Sequence, residues 1–503
     1  MKFSQKLDNF FEISARNSTI KTEIMGGLTT FFAMCYILAV NPQTMGNLFP
    51  IGAPMDQSIL NAIFIATAIG AIVGTLLMAF YAKMPFAQAS GMGLNAFFFT
   101  SFMAVYSSSI GQVGAYSLGL SVIFVSGLVF MFLSVTGLRK KIAEALPMCL
   151  KKAVPAGIGL FIAFIGLQGS KLVVANGGTL VQLNNFNVYN GGVQWFDSFG
   201  APGISAPIAA FIGFLFIAAL SKTRFAKFNV ISGILFTTCL YYLFNAGHDA
   251  TFVGLGNLQP IDKVFIDFGN VGVQGWFNGF KYWNGEIVLN LILLVVTFCL
   301  VDMFDTLGTL QGTAAEAGML DENGNPQNLN KCLMADSAAT VVGAMMGTST
   351  VTTFVESASG VSAGARTGLS SLVVAFLFFI AMFLSPLASV IPGCATAPAL
   401  MYVGVLMLKN FKEVDFSDLT TAVPAFITLI MMPLTYSISN GIALGMISYM
   451  GLKFFKVFFT KEYTVKEYFM IKKGETGEFF TKDIIIFIIG ALFLVRYFMV
   501  NIG

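Results

Sequence analysis

The chain has 503 residues, of which 56% are hydrophobic and only 11% charged, with a formal net charge of +3. Soluble proteins keep about a quarter of their residues charged, so a mean hydropathy of +0.79 excludes a soluble globular protein and points to an integral membrane protein of many spans. The small net charge, with no basic stripe, argues against nucleic acid as a partner.

Residues 1–20 read as a short amphipathic helix at the membrane surface, with Phe3, Leu7, Phe10 and Phe11 on one side. Residues 1–21 are polar and of mixed charge, without the apolar core of a cleavable signal peptide. The first two spans are expected at about 22–40 and 59–81. In KMPFAQASGMGLNAFF, Pro85, Gly91 and Gly93 flank polar Gln88 and Ser90, which predicts a broken third segment with helix from about Met92 to Val105. Further spans follow at about 113–136, 153–171, 206–220 and 228–245, with a Gly/Asn-rich loop to about 203 and a long loop 246–285. The second half reads as spans at about 287–313, 332–347, 367–391, 396–409, 419–432 and 437–457, with a second broken segment, TSTVTTF and a helix from about Glu356, in third place. The apolar run 484–500 is about the minimum length for a span, and it either crosses or lies against the bundle.

Three basic clusters, Arg139–Lys141 with Lys151 and Lys152, Lys222 with Arg224 and Lys227, and Lys453 to Lys473, fall on one side of this layout. That side is the cytoplasm by the positive-inside bias, which places the N-terminus inside and the chain in the cell membrane. Each half carries a broken segment third in order, and seven spans is an odd number, so the halves must be inverted. Inverted repeats with broken helices at the midplane mark secondary transporters. The fold class expected is therefore all-α and polytopic, with 14 transmembrane segments in a 7+7 inverted repeat and two broken segments, each a short strand plus a half-helix.

The stretch from Cys299 to Arg366 concentrates the chemistry: Asp302, Asp305 and Glu356 stand in otherwise apolar segments. Intramembrane carboxylates are costly and read as functional by default. Asp302 and Asp305 are three residues apart and share a helix face, and Asp305 aligns with Thr309 four residues on. Asp336 reads equally as a cap or ion pair with Lys331 or Arg366 near the cytoplasmic face, or as part of a proton path. The six cysteines form no CxxC pair and read as reduced, structural thiols. His248, the one histidine, reads as a solvated loop residue, and DENGNP as a β-turn rather than a calcium loop. No metal site, cofactor motif or enzymatic constellation is present.

TEIMGGLTTFFAMCYILAVNP (22–42), GMGLNAFF (91–98), DMFDTLGTLQGTAAEAGML (302–320), ADSAATVVGAMMGTSTVTTFVESASGV (335–361) and GARTGL (364–369) together resemble the AzgA-like purine permeases. These form a branch of the nucleobase:cation symporters that include uracil and xanthine/urate permeases. The resemblance implies a core domain (22–138 and 287–392) and a gate domain (139–286 and 393–458), with 459–503 beyond them. It also implies proton-coupled uptake of hypoxanthine, guanine or adenine at the interface between the domains. In the family pattern Asp305 falls on a substrate-contacting carboxylate and Thr309 one turn on, Glu356 falls on the substrate-binding glutamate, and Asn95 belongs to the GMGLNA motif. Exposed gate surfaces in this fold often pair, so a homodimer is compatible with it.

A purine base is flat and neutral, with ring N–H donors and carbonyl acceptors. Its site needs carboxylates for the N–H groups, donors for the carbonyls, and apolar walls. Glu356 supplies an acceptor, and backbone N–H groups at the start of its half-helix are expected as donors, the competing reading being a plain helix cap. Asn95 offers donor and acceptor to a ligand or to a neighbouring helix, and Phe354 and Phe97 to a stacked base or to packing. Asp305, Glu356, Asp302 and Asp336 are the proton-coupling candidates, and sodium suits the same ligands. An anion carrier on the same architecture is the alternative; it would want basic residues where Asp305 and Glu356 stand.

Overall fold

The computed structural model describes residues 3–46, 55–136, 147–184, 196–197, 203–204, 206–223, 226–244, 260–285, 287–320, 326–384, 391–459, 487–488, 490–491 and 494. The expectations placed on Arg139–Lys141, Arg224, His248, the 321–325 turn and most of 459–503 lie outside these residues.

Helix α1 (Phe3–Phe11) is followed by α2 (Ile20–Met34) and α3 (Ile37–Asn41), then α4 (Gln57–Leu77). Strand β1 (Gln88–Ser90) leads into α5 (Met92–Phe98) and, through a wide turn, α6 (Ala104–Ile110). Next come α7 (Gln112–Val135), α8 (Met148–Gly169), a hairpin of β2 (Val173–Asn176) and β3 (Leu180–Leu183), the paired β4 (Phe196–Asp197) and β5 (Gly203–Ile204), α9 (Ala206–Leu220) and α10 (Asn229–Phe244). Helices α11 (Ile261–Asp267) and α12 (Gln274–Gly279) precede α13 (Val288–Ala317) and α14 (Leu329–Met346). Strand β6 (Val351–Thr353) leads into α15 (Ser357–Ser362), and α16 (Gly368–Met382), α17 (Gly393–Met407), α18 (Leu419–Leu434) and α19 (Ile438–Phe459) follow.

Side-chain caps set several of these starts. Thr19, Asp56, Thr367 and Asp418 each accept a hydrogen bond from a backbone N–H of the first turn that follows. Five described helical stretches, Ile20–Gly46, Gln57–Ala82, Gln112–Val135, Met148–Gly169 and Val288–Leu307, are long and apolar enough to cross a bilayer. The helices lie close to the expected positions. The long loop 246–285 is the main departure: residues 261–282 are helical and pack on α4, α7 and α14. Val264, Phe265, Phe268, Trp276 and Phe280 repeat there with helical spacing. The Gly/Asn-rich loop after α8 likewise folds into the β2–β3 hairpin.

The two broken segments meet. β1 and β6 pair antiparallel, Gln88 opposite Thr353 and Ser90 opposite Val351, so the helices that follow them leave in opposite directions. A two-stranded sheet has two unpaired edges, which lipid cannot hydrogen-bond. Here each edge meets one threonine. Thr75 Oγ1 accepts from the Gln88 N–H at 3.0 Å and donates to its carbonyl at 3.1 Å. Thr340 Oγ1 accepts from the Val351 N–H at 3.2 Å and donates to its carbonyl at 3.1 Å. Helices α4, α13 and α14 pack on this pair, with α2, α7 and α16 packed on those helices or on α15, while α8, α17, α18 and α19 form a second group.

Thr75→Val keeps the side-chain shape and removes the hydroxyl. Each buried backbone group left unanswered costs about 1–3 kcal/mol, so the purified protein is expected to melt at a clearly lower temperature. Thr75→Ser restores most of that loss. An unchanged melting temperature in the valine variant would show that the edge is satisfied by other means.

The N-terminal helix docks rather than floats. Phe11 and Ile13 are buried in one cluster with Leu369. The Glu12 carboxylate lies 3.1 Å from the Lys83 ammonium, which holds it below the usual carboxylate range. Arg16 Nη1 donates to the carbonyls of Lys83 and Arg366 at 3.0 and 3.2 Å.

Candidate functional site

A cavity of about 410 Å³ opens beside the strand pair, within the range of about 300–1,000 Å³ usual for small-molecule sites. Gly91, Thr352 and Phe354 line it from the broken segments, and Asp305 and Thr309 from α13. Pro155 and Ile162 of α8 and Tyr402 and Met407 of α17 form the facing wall. Glu356, at the junction of β6 and α15, completes it. Two carboxylates therefore share one small cavity. Among the described residues that line it, the one basic side chain is the exposed Lys409.

The carboxylates differ in their partners. Glu356 Oε1 accepts from the buried Tyr36 hydroxyl at 2.5 Å. No described side chain donates a hydrogen bond to Asp305, whose carboxylate faces the backbone at Gly91. Asp302 turns away from the cavity into the packing of α14, where Thr340 Oγ1 lies 3.2 Å from Oδ2. The spacing argument put Asp302 and Asp305 on one face. The cavity takes only Asp305, because three residues turn a helix by 300° and leave a 60° divergence, which a cavity edge resolves.

Asp336 also differs from expectation. Helix α14 begins at Leu329, so Asp336 lies about two turns in and fully buried, rather than capping the helix. Gln88 Nε2 donates to one of its oxygens at 3.1 Å and Thr306 Oγ1 to the other at 2.6 Å. It thus ties β1 to α13. Arg366 instead donates to the carbonyls of Val361 and Ala365 at 2.7 and 2.6 Å, closing the C-terminal end of α15.

Glu356 does not cap its helix. Three of the N–H groups expected as free donors beside it are already bonded. The N–H groups of Ser357, Ala358 and Ser359 bond the carbonyls of Phe354, Val355 and Glu356 in tight turns of 2.9 to 3.1 Å. The half-helix itself is only six residues long. Asn95 is fully buried behind the strands, where its Oδ1 accepts from Ser90 Oγ at 2.7 Å and from Ser349 Oγ. It locks the two broken segments together and does not line the cavity. Thr309 lines the cavity, but its hydroxyl donates to the backbone carbonyls of Asp305 and Thr306. Phe354 is a cavity wall, whereas Phe97 packs on Phe298 with ring centroids 4.6 Å apart.

Sequence reasoning missed Tyr36, Thr75, Thr306, Thr340 and Tyr402. Tyr36 carried a faint signal, a polar tip inside the apolar run CYILAV. Threonines inside apolar helices carry none, because they can satisfy themselves on the preceding turn.

A second, larger cavity of about 1470 Å³ lies along the same helices. It is lined by Ile165 of α8 where the smaller one is lined by Ile162, by Leu400 of α17 rather than Tyr402, and by Asn290 of α13 rather than Asp305. No carboxylate among the described residues lines it.

Residues 21–444 match the Permease family whose sequence profile is named for xanthine and uracil permeases. The guanine/hypoxanthine permease PbuO of Bacillus subtilis (strain 168) is 41% identical over 450 residues, spanning 87% of this chain and 93% of that protein. The adenine permease AdeQ of Escherichia coli (strain K12) is 36% identical over 450 residues, spanning 90% of this chain and 91% of that protein. Among solved structures, the transmembrane domain of the cyanobacterium bicarbonate transporter BicA matches with a TM-score of 0.57 at 13% identity, covering 84% of this chain and 97% of that one. At that identity the likeness concerns the fold alone.

Proposed function

This chain belongs to the xanthine/uracil permease family, and from that premise we propose that it imports purine nucleobases, hypoxanthine and guanine ahead of adenine, in symport with protons. The observation that carries this reading is the pairing of Asp305 and Glu356 across one small cavity walled by Phe354. Carboxylates suit the ring N–H groups of a neutral base, and the phenylalanine ring suits its flat face. Thr309 shapes the floor of that site, and Asn95 acts from behind by fixing the two broken segments against each other.

Movement between two domains would deliver the base. The core is built from 22–138 and 287–392 around the strand pair, and the gate from 139–286 and 393–458. Within that gate range, residues 260–285 pack on α4, α7 and α14 and would move with the core. The two cavities follow one another along α8, α13 and α17, as expected for a pathway that opens to each side in turn. Lys151 and Lys152 at the start of α8 favour a cytoplasmic end for the smaller cavity, and with it a cytoplasmic N-terminus in the cell membrane. Asp305 is the foremost proton carrier in this reading, with Glu356, Asp302 and Asp336 behind it.

The fold neighbour is a bicarbonate transporter, which keeps an anion in view as the second reading. Two carboxylates facing the cavity oppose it. Uptake of radiolabelled hypoxanthine in cells lacking their own purine permeases tests both. Uptake blocked by unlabelled guanine, indifferent to sodium and abolished by a protonophore is the expected result. Block by adenine alone would keep the mechanism and change the substrate, and sodium dependence would replace the coupling ion. No uptake of any base by protein present at the membrane would overturn the reading in favour of an anion.

A further inference from the structure

Tyr36 stands at a break in the first span. Helix α2 ends at Met34 and α3 begins at Ile37, and the N–H groups of Leu38 and Ala39 reach back three residues, to Cys35 and Tyr36, at 3.2 and 3.0 Å. The Tyr36 ring is buried, and its hydroxyl donates to Glu356 Oε1 at 2.5 Å. Glu356 lines the small cavity, whereas Tyr36 does not. The phenol therefore holds one carboxylate oxygen of a cavity-lining residue from outside the cavity lining.

The distance between the two is set by backbone packing. A Cβ on Gly26 of α2 would sit 2.6 Å from Ala365 Cβ, and a Cβ on Gly360 of α15 would sit 2.6 Å from the Gly26 carbonyl. Only glycines allow this approach, so the first span and the half-helix behind Glu356 are held in contact. Glu356 makes no capping bond to its own helix. The Tyr36 hydroxyl is the described side-chain donor that orients its carboxylate.

We propose that Tyr36 is a positioning residue for nucleobase binding: it anchors one oxygen of Glu356 and so aims the other at the ring N–H of the base. The inference rests on the nucleobase reading above. A hydrogen bond between a phenol and a carboxylate is of the strong, charge-assisted kind. Without it the glutamate side chain must be ordered by the ligand itself, which weakens binding rather than turnover.

The test compares wild type, Tyr36→Phe, Glu356→Asp and the double variant in hypoxanthine uptake, with Vmax normalised to protein at the membrane. Tyr36→Phe is expected to raise KM roughly ten- to a hundredfold, the range for losing a hydrogen bond to a charged group, with little change in Vmax. In the Glu356→Asp background, whose shorter arm falls short of the phenol, Tyr36→Phe is expected to add nothing. Binding of the labelled base to the purified carriers should give the same affinity ratios without transport. An unchanged KM, a fall in Vmax alone, or effects that multiply fully in the double variant would overturn the inference while leaving the nucleobase reading intact. Wild type that takes up no base would overturn that reading, and this inference with it.

Discussion

Glu356→Gln is expected to lower nucleobase uptake, as Vmax/KM, by about a hundredfold or more. The substitution keeps the size of the side chain and its place at the β6–α15 junction. What it removes is charge and acceptor capacity. An ionised carboxylate accepts at both oxygens, whereas an amide turns an N–H toward whatever stood opposite the second oxygen. Opposite Glu356 stand Tyr36 on one side and the cavity on the other. If the amide oxygen keeps the Tyr36 bond, its NH2 group faces the ring N–H of the base, and donor meets donor. The bond to the base is then reversed, at about 1.5–3 kcal/mol, and the bond to Tyr36 loses its charge assistance; every 1.4 kcal/mol is tenfold. Uptake within a few-fold of wild type would remove Glu356 from the site.

The buried carboxylates divide by the company they keep. Asp336 is held by Gln88 and Thr306, and Asp302 is approached by Thr340. Both lie behind the strands, where they knit α13 and α14 to the broken segments. Burying a charge is tolerable only when it is paired or hydrogen-bonded, and Asp336 is answered by the protein at both oxygens. Glu356 is half answered, by one phenol, and Asp305 is answered by no described side chain. The gradient runs from scaffold to site, and it separates residues that sequence position alone treats as equals.

Much of the architecture was legible beforehand because bilayer spans announce themselves by length and composition. The two broken segments were legible for a related reason: QASG and STVTTFVES are too polar and too small to be lipid-facing helix. That they pair with each other was not legible. Pairing brings Gln88 to Thr353, 265 residues apart, and no local pattern encodes a contact at that range. The helices within 261–282, read as part of a long loop, were not legible either; there Gly275 and Gly279 serve close packing on α7. Glu356 and Asp305 could be singled out as carboxylates in apolar runs. Which of Asp302 and Asp305 faces the cavity could not, because both faces of α13 are buried and the choice depends on what packs against each.

Asp305→Asn is expected to separate exchange from accumulation. The Asp305 carboxylate lines the cavity with Glu356 near it and no described donor beside it. Only a ligand N–H or a proton can answer such a charge once the cavity closes around it. That requirement is what couples two fluxes: the loaded carrier can reorient with both sites filled, and reorienting with an empty, unanswered charge is disfavoured. An asparagine removes the charge and with it the penalty. Cells carrying the variant should still exchange internal for external base, because the cavity and Glu356 remain. They should no longer concentrate the base above its external level, and a protonophore should then make no difference. Uptake by the variant should also lose its rise at acid pH. Accumulation that survives the substitution and still collapses with the protonophore would move the coupling away from Asp305, and Glu356 would be the next carboxylate to test because it alone among the others lines the same cavity.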